Sequence, residues 1–363
     1  MEKKLDYRSI AFFVIIFLVL GTLAVVSVEF LSDYKTIGSE KGNLFLKHVA
    51  KLIIGMLILA FFSSLDYKIH FSRNMIFTYY FLAILGLVLA LTTSSPVGAR
   101  RWIKIGGITV QPSEFVKIII VIFLSYYVSK YSNRMKNILY GLVFPIAYMA
   151  PFYLLVALEP DMSTFLIMFF VTLLILYTSG TRGIYVLSFA ILSILILFFL
   201  YKYGFLRSYQ MQRIEGFLKG EVSEQVLMAI ETAKSGGIFG KGLNLGELKI
   251  LVPVSTSDFV IAVIGEELGY FGIAVIFFSY YGLVSSLIKS AQKFASNVVV
   301  RTFITGYGIL IMIQAMVNLG VTAGLLPVTG VTLPFVSHGG SSLTAFMMGL
   351  GIVISMILKS EER

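Results

Sequence analysis

Ten apolar stretches follow one another along these 363 residues, and no other feature restricts the fold so tightly. Crossing a bilayer as a helix takes roughly 20 apolar residues. The sequence predicts spans near 10–30, 44–63, 75–92, 113–130, 138–157, 162–179, 183–203, 258–284, 302–325 and 341–358. Inside lipid every backbone group must find its partner within the protein, which leaves helices as the spanning elements for stretches of this length. The expected fold is therefore an all-α polytopic membrane protein. Residues 1–363 form one domain, with a large loop at 204–257 between helices seven and eight. The first stretch is too long for a signal-peptide core and is expected to stay as an anchor.

Composition agrees with this class. Hydrophobic residues make up 58% of the chain and charged residues only 13%, about half the charged share of a soluble domain. The formal net charge is +10. In a membrane chain that excess first serves cytoplasmic anchoring, and then anionic lipid or phosphate ligands. With no basic soluble domain, nucleic acid is excluded as a partner. The absence of cysteine removes disulfides, thiol catalysis and thiolate metal sites. Placing the N-terminus inside puts fourteen Lys and Arg in the short inner loops and in the termini. The short outer loops then hold six, Lys35, Lys41, Lys47, Arg100, Arg101 and Lys104. That bias predicts both termini in the cytoplasm and the 204–257 loop outside.

Ionisable residues within or beside the spans are costly and mark candidate functional positions. Span four opens Gln111-Pro112-Ser113-Glu114-Phe115-Val116-Lys117. Pro112 suits a first helical turn. Glu114 and Lys117 share a face, as an ion pair joining helices or as the wall of a polar cavity. Lys51 in span two either snorkels outward or meets a ligand. Arg100 and Arg101 precede the only tryptophan, Trp102, and a guanidinium grips phosphate through paired hydrogen bonds. Asp258 opens span eight, either as a base or as a helix cap, and Ser255 and Ser257 are equally able to cap. Glu266 and Glu267 lie two turns further on, and at least one is expected to pair with a cation or hold a proton. Gln314 and Asn318 form a polar stripe suited to helix packing.

The run Gly236-Gly237-Ile238-Phe239-Gly240-Lys241-Gly242 calls for close backbone approach or positive φ. It reads as a flexible outer loop or as a phosphate contact. The Pro- and Gly-broken stretch 327–342 belongs at membrane depth only if protein covers it or it lines a cavity. Ser337 and His338 lack a nucleophile-elbow context. Under this topology Arg100, Arg101, Glu114, Lys117, Glu159, Asp161, the glycine run, Asp258 and 327–342 all gather at the outer face. Such a gathering suits an anionic, lipid-borne ligand, handled by either an enzyme or a transporter.

Several of these segments resemble one family. They are Gly98-Ala99-Arg100-Arg101-Trp102-Ile103, Gln111 to Glu114 with Lys117, Glu159-Pro160-Asp161, Asp258-Phe259 with Gly265-Glu266-Glu267-Leu268-Gly269, and Leu333-Pro334-Phe335-Val336-Ser337-His338-Gly339-Gly340-Ser341-Ser342. Together, in this order and spacing and nearly end to end, they resemble the shape, elongation, division and sporulation family, whose best-known members are FtsW and RodA. The 262–269 segment is slightly more similar to the FtsW pattern. The resemblance implies a ten-helix fold and a peptidoglycan glycosyltransferase that polymerises lipid II at the outer face of the bacterial cytoplasmic membrane. It also implies a class B penicillin-binding protein as partner, alongside other divisome or elongasome membrane proteins. Asp258 matches the family's essential aspartate. The expected substrate-binding residues are Arg101, Lys117, Glu114, Arg100, Lys51, Gln111, Ser113, Asp161, Ser337 and Ser341. No dedicated metal motif is present, and a magnesium or manganese ion bound through oxygen donors is an open expectation. The chain departs from the family pattern at His338, usually Tyr, at Met162-Ser163-Thr164, and at Ser257, usually Thr. A lipid II flippase and a silent scaffold for the penicillin-binding protein are the alternative readings.

Overall fold

A computed structural model describes residues 3–34, 43–93, 100–106, 108–159, 161–203, 211, 215–216, 219–220 and 223–360. Gly98, Ala99 and Pro160 of the motifs, Lys35 and Lys41, and most of the first half of the large loop lie outside the described residues. The helices are α1 (Lys3–Tyr34), α2 (Leu44–Ser64), a short α3 (Tyr67–His70), α4 (Arg73–Thr92), α5 (Pro112–Tyr131), α6 (Phe144–Leu158), α7 (Met162–Thr178), α8 (Gly183–Lys202), α9 (Glu224–Ser235), α10 (Val260–Lys293), α11 (Val298–Thr322) and α12 (Gly340–Lys359). A π-helical turn, Leu139–Val143, leads into α6. The strands β1 (Ile103–Ile105) and β2 (Ile108–Val110) form a hairpin with Ile103 opposite Val110. Among the described residues, eight helices are long and apolar enough to cross a membrane, and α7 and α8 add two shorter apolar helices. These ten elements are the ten predicted stretches; most end within a few residues of their expected bounds, while α1 starts seven residues before 10 and α10 runs nine residues past 284.

Burial sorts the helices into layers. Helices α5 and α12 are buried along most of their length, from Val116 to Val128 and from Leu343 to Ile357. They form the centre with α11 and the first half of α10, and α12 lies along α2. Helices α2, α4 and α8 present Leu57, Phe81, Ile194 and Phe198 outward, all more than half exposed. A helix that is apolar all round and sits at the periphery suits contact with lipid.

Helix α10 is broken. Gly269 sits at φ 67°, ψ −164°, a conformation open essentially to glycine alone. The glycine run packs into that break. A Cβ on Gly236 would stand 2.0 Å from the Gly265 carbonyl oxygen, and one on Gly240 2.0 Å from that of Glu267. The amides of Lys241 and Gly242 donate to the Glu266 and Glu267 carbonyls, and those of Tyr270 and Phe271 donate back to Gly237 and Ile238. Close approach and positive φ at Gly237, Gly240 and Gly242 are both realised. The phosphate-contact and flexible-loop readings of this run are corrected, because its backbone is bonded to α10.

Both buried glutamates are fully partnered. Glu266 accepts from Lys241 Nζ at 2.9 Å and from the amides of Glu247, Leu248 and Lys249, each at 2.9 Å. Glu267 accepts from Ser27 of α1 at 2.5 Å, from the Asn244 amide at 2.5 Å, and from the Lys249 ammonium, which also bonds Ser27. Two carboxylates thus tie the second half of the large loop to α1 and to the first half of α10.

Candidate active site

At one end of the bundle α2, α5, α7, α10 and α12 begin. Their N-terminal residues meet the 323–339 connection there. Asp258 lies just before α10, in a turn closed by its own amide donating to Val254 O at 3.1 Å. Asn318 of α11 donates to Asp258 O at 2.8 Å and to Val331 O at 2.7 Å, so one side-chain amide fastens the turn to the connection. The Ser337 hydroxyl donates to Ser257 O and accepts from the Leu333 amide, while the His338 amide donates to Thr256 O at 2.9 Å. The backbone around Asp258 is therefore fixed on both sides. Its carboxylate faces Gly330, where an added Cβ would stand 3.6 Å from Oδ2. Burial pushes the Asp258 carboxyl up, and hydrogen bonding with Ser257 opposes this. The capping reading is corrected: Phe259 is the N-cap of α10, and no side chain caps this helix.

A second cluster surrounds Asp161. The 103–110 hairpin separates Arg101 from Gln111 and folds both toward the α6–α7 turn. Arg101 Nε donates to Glu159 O at 3.1 Å, and its Nη1 lies 3.7 Å from Asp161 Oδ2. Gln111 Nε2 donates to the same oxygen at 3.2 Å. Asp161 Oδ1 accepts from the Thr164 amide and so caps α7. Ser163 donates to Thr329 O at 3.0 Å, which links α7 to the connection beside Asp258. Ser341 accepts from the Gln111 amide at 2.9 Å, which links α12 to α5. Ser337 and Ser341 thus hold backbone in place, while Arg100 is exposed and outside this network.

Lys117 is buried beneath the loops. It donates to Glu114 at 2.9 Å and to Gln314 of α11 at 2.5 Å, and Gln314 donates onward to Thr332 O at 3.0 Å. The ion-pair reading of Glu114 and Lys117 is realised, with Gln314 carrying it to a third helix. Glu114 Oε2 and Ser113 Oγ have no hydrogen-bond partner among the described residues.

A third group surrounds His338, one of the departures from the family pattern. Lys51 Nζ lies 2.6 Å from His338 Nε2, His338 Nδ1 lies 3.0 Å from His48 Nδ1, and His48 Nε2 lies 3.3 Å from Thr22 Oγ1. Burial and the adjacent Lys51 push His338 down to about 3, so its ring is neutral. The ammonium can only donate, which fixes each tautomer in turn. His338 accepts at Nε2 and donates through Nδ1 to His48. His48 then donates through Nε2 to Thr22, whose hydroxyl donates to Leu18 O at 2.7 Å. Lys51 is thereby aimed along the α12 N-terminus rather than snorkelling. Sequence reading did not single out His48 or Thr22. The i, i+3 spacing of His48 and Lys51 on α2 was the available signal. Among the described residues no three His, Cys, Asp or Glu side chains converge to hold a metal.

A family model described as "Cell cycle protein", covering FtsW, RodA and SpoVE, matches residues 7–362. A probable peptidoglycan glycosyltransferase FtsW of Trichlorobacter lovleyi is 33% identical over 71% of this chain and 68% of its own length. One of Bacillus subtilis is 29% identical over 100% and 93%. Among solved structures, a chain from a study of how a peptidoglycan synthase complex coordinates polymerization and crosslinking superposes with TM-score 0.80 at 24% identity, covering 98% of each chain. The rod shape determining protein RodA of Thermus thermophilus superposes with TM-score 0.71 at 24% identity, over 98% of this chain and 97% of its own. A match over nearly the whole length, on the same polytopic helical fold, makes this chain a member of the FtsW/RodA/SpoVE family.

Proposed function

We propose that this protein is a peptidoglycan glycosyltransferase that polymerises lipid II at the outer face of the bacterial cytoplasmic membrane. The observation that carries this reading, beyond family membership, is Asp258. It is a carboxylate in a backbone fixed from α11 and the 323–339 connection, with its side chain facing Gly330 and no ion-pair partner among the described residues. A sugar hydroxyl is a poor nucleophile and gains from a positioned base. Asp258 accepts the proton of the acceptor GlcNAc 4-hydroxyl as the oxygen–C1 bond to MurNAc forms. The C1–oxygen bond to the diphosphate breaks, and undecaprenyl diphosphate leaves with the electron pair. Direct displacement inverts the anomeric configuration.

The leaving diphosphate needs nearby cations. Arg101 and Lys51 stand at the same end of the bundle and serve this role, with the exposed Arg100 beside Arg101. Gln111 and Asp161 hold Arg101, and Glu114, Lys117, Ser113, Ser337 and Ser341 support the walls and loops. A magnesium or manganese ion would have to draw its oxygen ligands mainly from the diphosphate, because among the described residues no three His, Cys, Asp or Glu side chains converge. One solved relative is a chain of a peptidoglycan synthase complex that polymerises and crosslinks. By that likeness the chain works with a crosslinking class B penicillin-binding protein and with other divisome or elongasome membrane proteins.

The test is polymerisation of labelled lipid II by wild type and Asp258→Ala, with and without the partner and with and without magnesium or manganese. The variant should lose about a hundredfold or more in rate while keeping its melting temperature. Wild-type polymerisation by Asp258→Ala removes the base assignment. No polymer from wild type under any condition turns the reading to a flippase or a scaffold.

A further inference from the structure

The end of the bundle opposite Asp258 carries an open cleft of about 590 Å³, lined in part by Arg134, Lys136, Arg182, Tyr140 and Tyr185. It lies where the connection from α5 to α6 meets the start of α8. Three cations face one space, and no carboxylate lines it. Among the described residues none of the three cations has a carboxylate partner. An excess of Lys and Arg in short loops needs no such convergence, because topology depends on their number alone.

The cleft is also built. Arg134 donates to the Tyr140 hydroxyl at 3.0 Å, and its guanidinium carbon lies 5.1 Å from that ring's centre. Arg182 donates to the Tyr185 hydroxyl at 3.3 Å and lies 5.9 Å from that ring. Each guanidinium is thus held by a tyrosine, and most of its donors have no partner among the described residues. The two connections that carry them are locked together. Thr181, buried, donates to Gly141 O at 3.0 Å, and a Cβ on Gly141 would stand 2.1 Å from Met135 O. The π-helical turn 139–143 sits at this junction, and π-turns of this kind are frequent at functional sites. Ile138 lines the cleft and is exposed, and Leu139 next to it and Ile184 and Leu187 on the first turns of α8 are exposed apolar side chains near in sequence to the lining residues. Acyl chains of a lipid whose phosphate sits in the cleft would start at Ile138.

We propose that this cleft is a phosphate-ester site, separate from the Asp258 site, whose ligand is the head group of an anionic phospholipid. The cations supply the charge, the two held guanidinium groups supply directed hydrogen bonds, and the flanking apolar side chains favour a lipid over a soluble phosphate.

The experiment titrates the full-length protein in detergent with dioleoyl-phosphatidylglycerol and, separately, with inorganic phosphate, counting bound molecules by native mass spectrometry. Wild type is compared with the cleft triple variant Arg134→Gln, Lys136→Gln, Arg182→Gln. A charge-matched control, Lys68→Gln, Arg73→Gln, Lys289→Gln, removes three exposed cations from the same end. At roughly fivefold per cation near a lipid surface, the cleft variant should bind phosphatidylglycerol about a hundredfold more weakly, and the control less than about threefold. Saturable phosphate binding lost in the cleft variant alone would keep the site and assign it a soluble ligand. Equal loss in both variants, or no saturable binding by wild type in either arm, overturns the proposal. All six positions are exposed, and an unchanged melting temperature in each variant excludes unfolding as the cause of a loss.

Discussion

Two carboxyls near the 161–164 turn and the 254–258 turn show how burial, as the largest of several influences, sets behaviour. Glu159 is fully buried, and neither of its carboxyl oxygens has a hydrogen-bond partner among the described residues. Burial first, and Asp161 second, push it up to about 8 against the opposing pull of Arg101. In the folded protein it is therefore a neutral acid at pH 7, whereas the unfolded chain carries an ordinary carboxylate. The folded state binds the extra proton, so this contribution is fully present below the ordinary carboxylate range and is lost as pH rises through about 8. The wild-type melting temperature should fall as pH rises from the ordinary carboxylate range to about 8 and level off above it, and Glu159→Gln should flatten that slope. Identical slopes in the two proteins would place the titration elsewhere. For Asp258 the same physics acts on rate. A base must be ionised, and burial raises this one, so kcat/KM should rise with pH along a limb above the ordinary carboxylate range. An acid limb at an unshifted carboxylate value would remove Asp258 as the titrating base.

Among the helices, the sequence marked where each element runs but not where α10 breaks. Gly265 to Gly269 reads as part of one apolar stretch, and only the insertion of residues 236–242 shows why Gly269 leaves the helix. The Glu267–Lys249–Ser27 knot joins α1, the large loop and the first half of α10, the half that follows Asp258. Removing one partner of a buried pair strands the other, at a cost of about 3–5 kcal/mol, whereas replacing both by apolar groups is often neutral. Lys249→Met should therefore unfold at markedly lower denaturant concentration, and Lys249→Met with Glu267→Met should recover most of the loss. If the double variant is as unstable as the single, the stranded charge is not the cause. Glu266 and Glu267 were legible as costly residues, but their partners lie 17 to 25 positions away or on α1, a distance no periodicity reveals.

The molecule as a whole has two polar ends separated by apolar helices, with the Asp258 site at one end and the basic cleft at the other. The reading puts the first outside the cell and the second in the cytoplasm. With no native cysteine, the chain is already a background for single-cysteine labelling. Leu325, 72% exposed in the connection near Asp258, and Asn133, exposed beside the cleft, are suitable probes. A membrane-impermeant maleimide should label Leu325→Cys in cells stripped of their wall, and Asn133→Cys only after lysis. The reverse pattern would invert the topology and deny the site access to an outer-face substrate.

By itself the sequence determined the class and the elements. A bilayer-length apolar run has one way to satisfy its backbone, so ten runs give ten helices, and the motif order is enough to place the chain in its family. It also exposed the costly residues, because a charge beside an apolar run is visible without any fold. Only the tertiary structure decided what those residues meet. Lys117 pairs with Glu114 within its own helix, as spacing suggested, but Gln314, His338 and Asn318 reach their partners across 13 to 290 positions. The glycine run could be read as a loop or a ligand contact until its neighbours were known. It became a packing insert because a carbonyl of α10 occupies the space a Cβ would need. Local order follows from short-range periodicity and backbone chemistry. Partner choice follows from which helix ends the bundle brings together.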